Sequence, residues 1–481
     1  KDQYDRPIFG AINFCPHALS LAGDDETIEF MVSTAVHEIG HVLGFTSSLY
    51  RYFRNEDGTP KIARGATQDE FPGQVPWACK EGYVPQWNVN VPAANGGGRE
   101  YVDLAPGIVN KFSERGFDNC GCPVGDSTFS NSTCIVQPSG DRVPSCVMRM
   151  LTPTVLQEAR DFFDCQTLEG AELENQDTSA CTIYASHWEQ RVFNGEVMAA
   201  VAGFKPAYLS RVTLALYKDS GWYNVDFAMA DTLTKGVHWG YKQGCAFATD
   251  KCLSSGTSIA PRFFCTSSDA STCNAVRDGV AGCKIMTANW PTAPSQFDYF
   301  GPRDSTSGTW GNQAEPDYCP WFGVTIGNRV CGKAPPDTVM LPYSSHNFMR
   351  EVLGSPMSRC FDSTLRAPIG NQQAQDSLFE SSRPTCYLTE CASDGLSYKI
   401  KAADVSGDQA SSSPDSVVEL GTCTAEGETL SGSFSGAVTC ASPAEICQIV
   451  PALHTKVGAP TPAPTPAPTP VPPTTPVPTP V

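Results

Sequence analysis

His37 and His41 stand four residues apart in the run His37-Glu38-Ile39-Gly40-His41. On a helix, two imidazoles at that spacing project from one face, about a turn apart, and can hold one metal ion together. The surrounding residues agree with a helix. Asp24 and Asp25 offer an N-cap and, with Glu26 and Glu29, a negative first turn. Ile28, Val32, Ala35, Val36, Ile39, Val42 and Leu43 recur at three- and four-residue steps, so one stripe faces a core. Gly44 stands where a glycine would end the helix and reverse the chain. Upstream, Arg6 to Phe14 predicts a strand bounded by turn residues, an edge against which an extended substrate could pair. Glu38, beside the first imidazole, is placed to deprotonate a metal-bound water, which points to a zinc peptidase once a third ligand is found.

A catalytic zinc takes three protein ligands and keeps a fourth place for water. In the long metzincin signature the third histidine follows the second by six residues. Here that position is Ser47. Five other histidines remain: His17, His187, His238, His346 and His454. His187 has the most informative surroundings, Ser186-His187-Trp188-Glu189-Gln190-Arg191 followed by Asn194-Gly195-Glu196-Val197-Met198. A glutamate ligand on a downstream helix, as in other zinc peptidases, is the competing arrangement. Its nearest candidates, Glu56 and Glu70, lie among Gly, Pro and Asp in loop-like sequence.

HEIGHVLGF, a long insertion, and then SHWEQRVFNGEVM together resemble the leishmanolysin family of zinc endopeptidases. The resemblance continues through Leu209 to Tyr223, Gly244-Cys245, Asp317 to Pro320 and Ser358 to Phe361, about four-fifths of the chain. It implies that an insertion displaces the third histidine, making His37, His41 and His187 the ligands of one catalytic Zn2+ and Glu38 the general base. Met198, eleven residues after His187, becomes the methionine of a turn packed beneath the metal. Leu209 to Tyr223 becomes the helix closing the catalytic domain. The family normally has a larger half before the first ligand than the 36 residues here, so the expectation is an N-terminally truncated catalytic domain.

The chain carries 33 basic and 51 acidic residues, a formal charge of −18, which disfavours nucleic acid and anionic membranes as partners. No hydrophobic stretch is long enough to span a bilayer. Twenty-one cysteines without zinc-knuckle spacing point to disulfides in an oxidising compartment, hence an extracellular or cell-surface protein. The odd number leaves one cysteine free or paired outside the chain. Asn131-Ser-Thr133 is a glycosylation sequon.

The expected fold is α+β: a metzincin-type zinc peptidase catalytic domain with a long insertion, then a disulfide-rich mixed or β C-terminal domain and a Pro-rich tail. The predicted boundaries are 1–44 for the remnant N-terminal subdomain with the active-site helix, 45–186 for the insertion, with a helix from Pro153 to Phe163, and 187–228 for the return to the catalytic domain. Residues 229–458 form the Cys-rich domain, ending in a small β-rich module over about 384–450. Residues 459–481 alternate Pro with Thr, Ala and Val, a polyproline spacer suited to O-glycosylation and to a membrane anchor beyond it. The function predicted is a zinc-dependent metalloendopeptidase acting on proteins or peptides. The alternative is a cell-surface adhesion protein that keeps the peptidase shape without turnover.

Overall fold

A computed structural model describes residues 4–15, 25–64, 107–113, 146–174, 185–201, 207–288 (255 and 269 excepted), 297, 299–300, 308–333, 349–366, 383–404 and 417–447. Asp24, Asn131 and the Pro-rich tail lie outside these residues.

Helix α1 covers Asp25–Leu43 and ends as the sequence predicts. Gly44 takes φ +124°, the Gly44 amide donates to the His41 carbonyl at 3.0 Å, and the Phe45 amide donates to the Gly40 carbonyl at 3.1 Å. This paired 5→2 and 6→1 arrangement is the Schellman stop, and it satisfies two of the last carbonyls of the helix. One further turn, α2, covers Ser47–Tyr50.

The strand expected over Arg6 to Phe14 is not formed: those residues are non-regular and pair with no described strand. A strand exists only through its ladder, and alternating apolar residues cannot supply the partner. Ile8 and Phe9 are exposed in consequence. The segment is held instead by its ends and by packing. The Asp5 carboxylate pairs with Arg54 at 2.6 Å and Arg64 at 3.1 Å, Trp222 Nε1 donates to the Tyr4 carbonyl at 3.1 Å, and Gly10 presses on Val42 of α1.

The described part of the insertion builds a small antiparallel sheet in the order β1 (Val109–Ser113), β2 (Cys146–Met150), β3 (Ala171–Leu173). Between β2 and β3 lies α3, Pro153–Phe163, with the predicted boundaries and proline in its first turn. Its free amides are capped from another element: Asp219 Oδ2 accepts from the amides of Thr154 at 2.8 Å and Val155 at 3.0 Å. Asp219 ends α5, Arg211–Asp219, the closing helix, whose N-cap Ser210 accepts from the Thr213 amide at 3.2 Å. A short helix α4, Gln190–Phe193, precedes it.

The ladder of β3 continues onto the chain carrying His187. The Glu189 amide donates to the Glu172 carbonyl at 3.0 Å, and the Glu174 amide to the His187 carbonyl at 3.0 Å. Leu173 thereby faces Trp188 across the pair. One apolar core gathers residues from Phe45 through Met148, Phe163, Trp188, Met198 and Leu216 to Phe247, Phe263 and Trp321. It therefore runs on past residue 228, into the Cys-rich region.

After α6 (Cys245–Thr249) and the hairpin β4 (Leu253–Ser254) and β5 (Thr257–Ser258), the chain forms two further sheets. In the first, β7 (Gly279–Ala288) pairs with β6 (Ser271–Cys273), β8 (Gly308–Gly311) and β9 (Trp321–Val330). The second is six-stranded and antiparallel and contains β10 (Ser358–Ser363), β11 (Arg383–Cys391), β12 (Tyr398–Ala403), β13 (Val417–Cys423), β14 (Thr429–Leu430) and β15 (Val438–Thr439). Its order is β13-β12-β11-β10-β15-β14. It buries a separate core around Phe361, Tyr387, Tyr398 and Ile400. The last helix, α7 (Pro443–Cys447), brings Glu445 within 2.8 Å of Arg277 and 3.2 Å of Arg262, a clamp between the two sheet regions.

Seven disulfides lie among the described residues. Cys165–Cys245 ties the end of α3 to α6. The others are Cys252–Cys319, Cys265–Cys283, Cys273–Cys360, Cys331–Cys386, Cys391–Cys447 and Cys423–Cys440. Cys15 is free and exposed. None of the described helices is long and apolar enough to cross a membrane.

Candidate metal centre

His37 and His41 project from one face of α1, and the β3 ladder carries His187 to meet them. Their Nε2 atoms form a nearly equilateral triangle: 3.1 Å between His37 and His41, 3.1 Å between His41 and His187, and 3.2 Å between His187 and His37. The three make up a group whose ligand atoms all lie within 4.8 Å of one another.

Each ring is held from its far side. His37 Nδ1 donates to the Val197 carbonyl at 2.7 Å, His41 Nδ1 to the Phe45 carbonyl at 2.8 Å, and His187 Nδ1 to Glu174 Oε1 at 2.8 Å. With every Nδ1 carrying the hydrogen, every Nε2 presents a lone pair to the same point. Three lone pairs at this separation repel unless a cation lies between them. Four-coordinate zinc, with nitrogen at about 2.0–2.1 Å, spaces its ligands by about 3.3–3.4 Å, so the triangle fits with little adjustment. An all-imidazole set suits zinc better than magnesium or calcium.

Electrostatics keep the rings in the ligating form. Burial lowers the pKa of His37 from 6.5 to about 4, the neighbouring imidazoles adding to the fall and the Val197 carbonyl opposing it. Burial likewise lowers that of His41. Glu38 is exposed on the same helix, near enough for its charge to act on both rings.

Met198 is buried directly under α1. A Cβ added to Gly40 would fall 2.9 Å from Met198 Cε and 2.8 Å from Tyr217 Oη, and closer still to Met198 Sδ. Gly40 is therefore glycine because the methionine and tyrosine occupy the space of a side chain. The turn is fixed by buried Glu196: Oε2 accepts from the Met198 amide at 2.5 Å, while Oε1 accepts from the Ser210 amide at 3.0 Å, Ser210 Oγ at 2.8 Å and Thr213 Oγ1 at 2.5 Å. Trp188 Nε1 donates to Thr213 Oγ1 at 2.7 Å, joining the segment that carries His187 to the closing helix. The Trp188 ring meets Phe45 edge to face at 4.8 Å.

Of the other candidates, His238 is fully buried and its Nδ1 accepts from the Thr234 amide at 2.9 Å, remote in role from the triad. Glu56 is exposed in the turn after Arg54 and is not part of the histidine group. His17, Glu70, His346 and His454 lie outside the described residues. Two buried glutamates, Glu174 and Glu196, have structural parts that composition and spacing do not announce. Glu196 stands two residues before Met198 in the Gly195-Glu196-Val197-Met198 run, which is a local signal, whereas Glu174 has none.

A model of the leishmanolysin family matches residues 1–67 and 126–452, leaving out only part of the insertion and the tail. The leishmanolysin-like peptidase of Drosophila melanogaster is 31% identical over 377 residues, covering 74% of this chain and 47% of the relative. That of Caenorhabditis elegans is 31% identical over 337 residues, 66% of this chain and 43% of the relative. Leishmanolysin of Leishmania major is 26% identical over 406 residues, 82% of this chain and 60% of the relative. The aligned part thus spans about half the length of these relatives. With the histidine group, the mixed helix and strand content and the many disulfides, these matches make the chain a member of the leishmanolysin family.

Proposed function

We propose that this protein is a zinc-dependent metalloendopeptidase that cleaves peptide bonds in protein or peptide substrates. His37, His41 and His187 hold one zinc ion, with Met198 as the packed base of the site. The observation that carries this reading is the triangle of three Nε2 lone pairs, each ring locked by an Nδ1 hydrogen bond. Zinc bound there would act as a Lewis acid toward water and the scissile carbonyl.

The protein's own groups do the rest. Glu38, exposed at the open side of α1, accepts a proton from the attacking water and returns it to the leaving amine. Its neighbours on the helix keep it in place, since α1 is anchored through Gly40 to Met198 and Tyr217. The disulfides fit an oxidising, extracellular or cell-surface setting. Glycosylation at Asn131 and a Pro-rich stalk leading to a membrane anchor belong to the same proposal. An adhesion protein without turnover is not favoured, because it has no need for three converging imidazoles with a carboxylate beside the first.

Glu38→Ala tests the reading. Zinc content should stay at the parental level while peptide hydrolysis by the complete enzyme falls by about 10²–10⁴-fold or more. Retained turnover in a preparation free of other proteases would exclude Glu38 as the base.

A further inference from the structure

The insertion between the second and third histidines is more than a spacer. Within it, Ala171 to Glu174 pair with the chain from Ala185 to Glu189, which carries the third histidine. Two of its acids, Glu172 and Glu174, are buried on that ladder, and their surroundings differ. Glu172 lies 3.6 Å from the Arg149 guanidinium. Glu174 has a side chain only 3% exposed and meets His187 Nδ1 at 2.8 Å, with His187 as its one ion-pair partner among the described residues.

A buried carboxylate without a cationic partner costs several kcal/mol. The histidine it touches is needed neutral to ligate, so the ring itself cannot offset that charge. A cation held at Nε2 would supply positive charge from the far side of the same ring. The three ring contacts are also unequal: His37 and His41 donate to neutral backbone carbonyls, while His187 alone donates to a carboxylate. The difference suits their supports. His37 and His41 are fixed by the same helix, whereas His187 lies on an irregular segment and its side chain needs its own orienting contact.

We propose that Glu174 is a positioning residue of the metal centre, holding His187 in its Nδ1–H tautomer, strengthening Nε2 as a donor and offsetting the charge of the ion. This rests on the ligand assignment above. It makes the insertion an integral part of the site, because the segment that displaces the third ligand from the helix also supplies the group that orients it. A purely structural role for Glu174 predicts otherwise, since its backbone bonds to Ala185 and His187 survive any change of side chain.

The test is zinc affinity by chelator competition together with the visible absorption of the cobalt-substituted protein. Parent, Glu174→Gln, Glu174→Asp and the control Glu172→Gln are compared. Glu174→Gln preserves size and an acceptor but removes the charge. It should weaken zinc binding by about 10–100-fold and shift the cobalt bands. Glu174→Asp, which keeps the charge at shorter reach, should fall between, giving a second reading if the amide variant folds poorly. Glu172→Gln should bind like the parent. Equal zinc affinity and an unchanged cobalt spectrum in folded Glu174→Gln or Glu174→Asp would overturn the role of Glu174 alone. A parent protein that binds no zinc would instead sink the ligand assignment.

Discussion

Gly40→Ala sets two effects of opposite sign against each other. In an ordinary helix interior, alanine in place of glycine stabilises by about 1 kcal/mol. Here the new methyl would sit 2.9 Å from Met198 Cε and 2.8 Å from Tyr217 Oη, and nearer still to Met198 Sδ. Met198 is itself buried and has little room to retreat. Overpacking of this kind costs about 1–3 kcal/mol. The clash should win, leaving the variant less stable by up to about 2 kcal/mol. The disturbance should also reach the metal site: a displaced Met198 moves Val197, whose carbonyl holds His37 Nδ1 at 2.7 Å. Urea unfolding with and without zinc measures both. Repeating the substitution in a Met198→Ala background should give a coupling of about 1 kcal/mol or more, because the partner in the clash is gone. A Gly40→Ala protein more stable than the parent, with unchanged zinc affinity, would refute the idea that Met198 presses on the helix.

Other consequences follow from the same packing. His238 is fully buried, and burial lowers its pKa from 6.5 to about 4. Its neutral form is the folded form, so its contribution to stability is complete above pH 6.5 and is lost as pH falls toward 4. Below pH 4, where the folded state is protonated as well, the loss reaches its full size of about 3 kcal/mol. In chelator-treated protein, His238→Gln should flatten that part of the stability profile, and an unchanged slope would exclude the residue as a source. Removing Cys165–Cys245 with paired serines opens a loop of sequence separation 80 between α3 and α6, with an expected cost of about 4 kcal/mol in the chain-entropy model. Denaturant midpoints of the oxidised parent and the double variant give the comparison.

How much of this was legible in the sequence depended on whether the signal was local. The helix over Pro153–Phe163 and the stop at Gly44 were, because proline, glycine and apolar periodicity act within a few residues. The closing helix was also legible, through the resemblance, which placed it within Leu209 to Tyr223. The strand expected over Arg6 to Phe14 failed for the complementary reason: an apolar run between turn residues says nothing of a partner, and no described strand pairs with it. The third histidine lay between. Its surroundings mark His187 among the remaining histidines, but its role as a ligand comes only from its spacing to Met198 set beside the family pattern. Glu174 was out of reach altogether. It meets His187 only because β3 pairs with the segment from Ala185 to Glu189, a pairing no local pattern encodes. The disulfides share that limit: thirteen cysteines beyond residue 229 allow far too many pairings to choose among by sequence.

The most direct test of the central claim is the zinc content of the purified chain, measured beside His187→Ala. One zinc per parent molecule and a clear loss in the variant is the predicted result, since two histidines on one helix face do not close a three-nitrogen site. Equal zinc in the two proteins would contradict the account, because the metal would then be held without the histidine that the β3 ladder brings to α1.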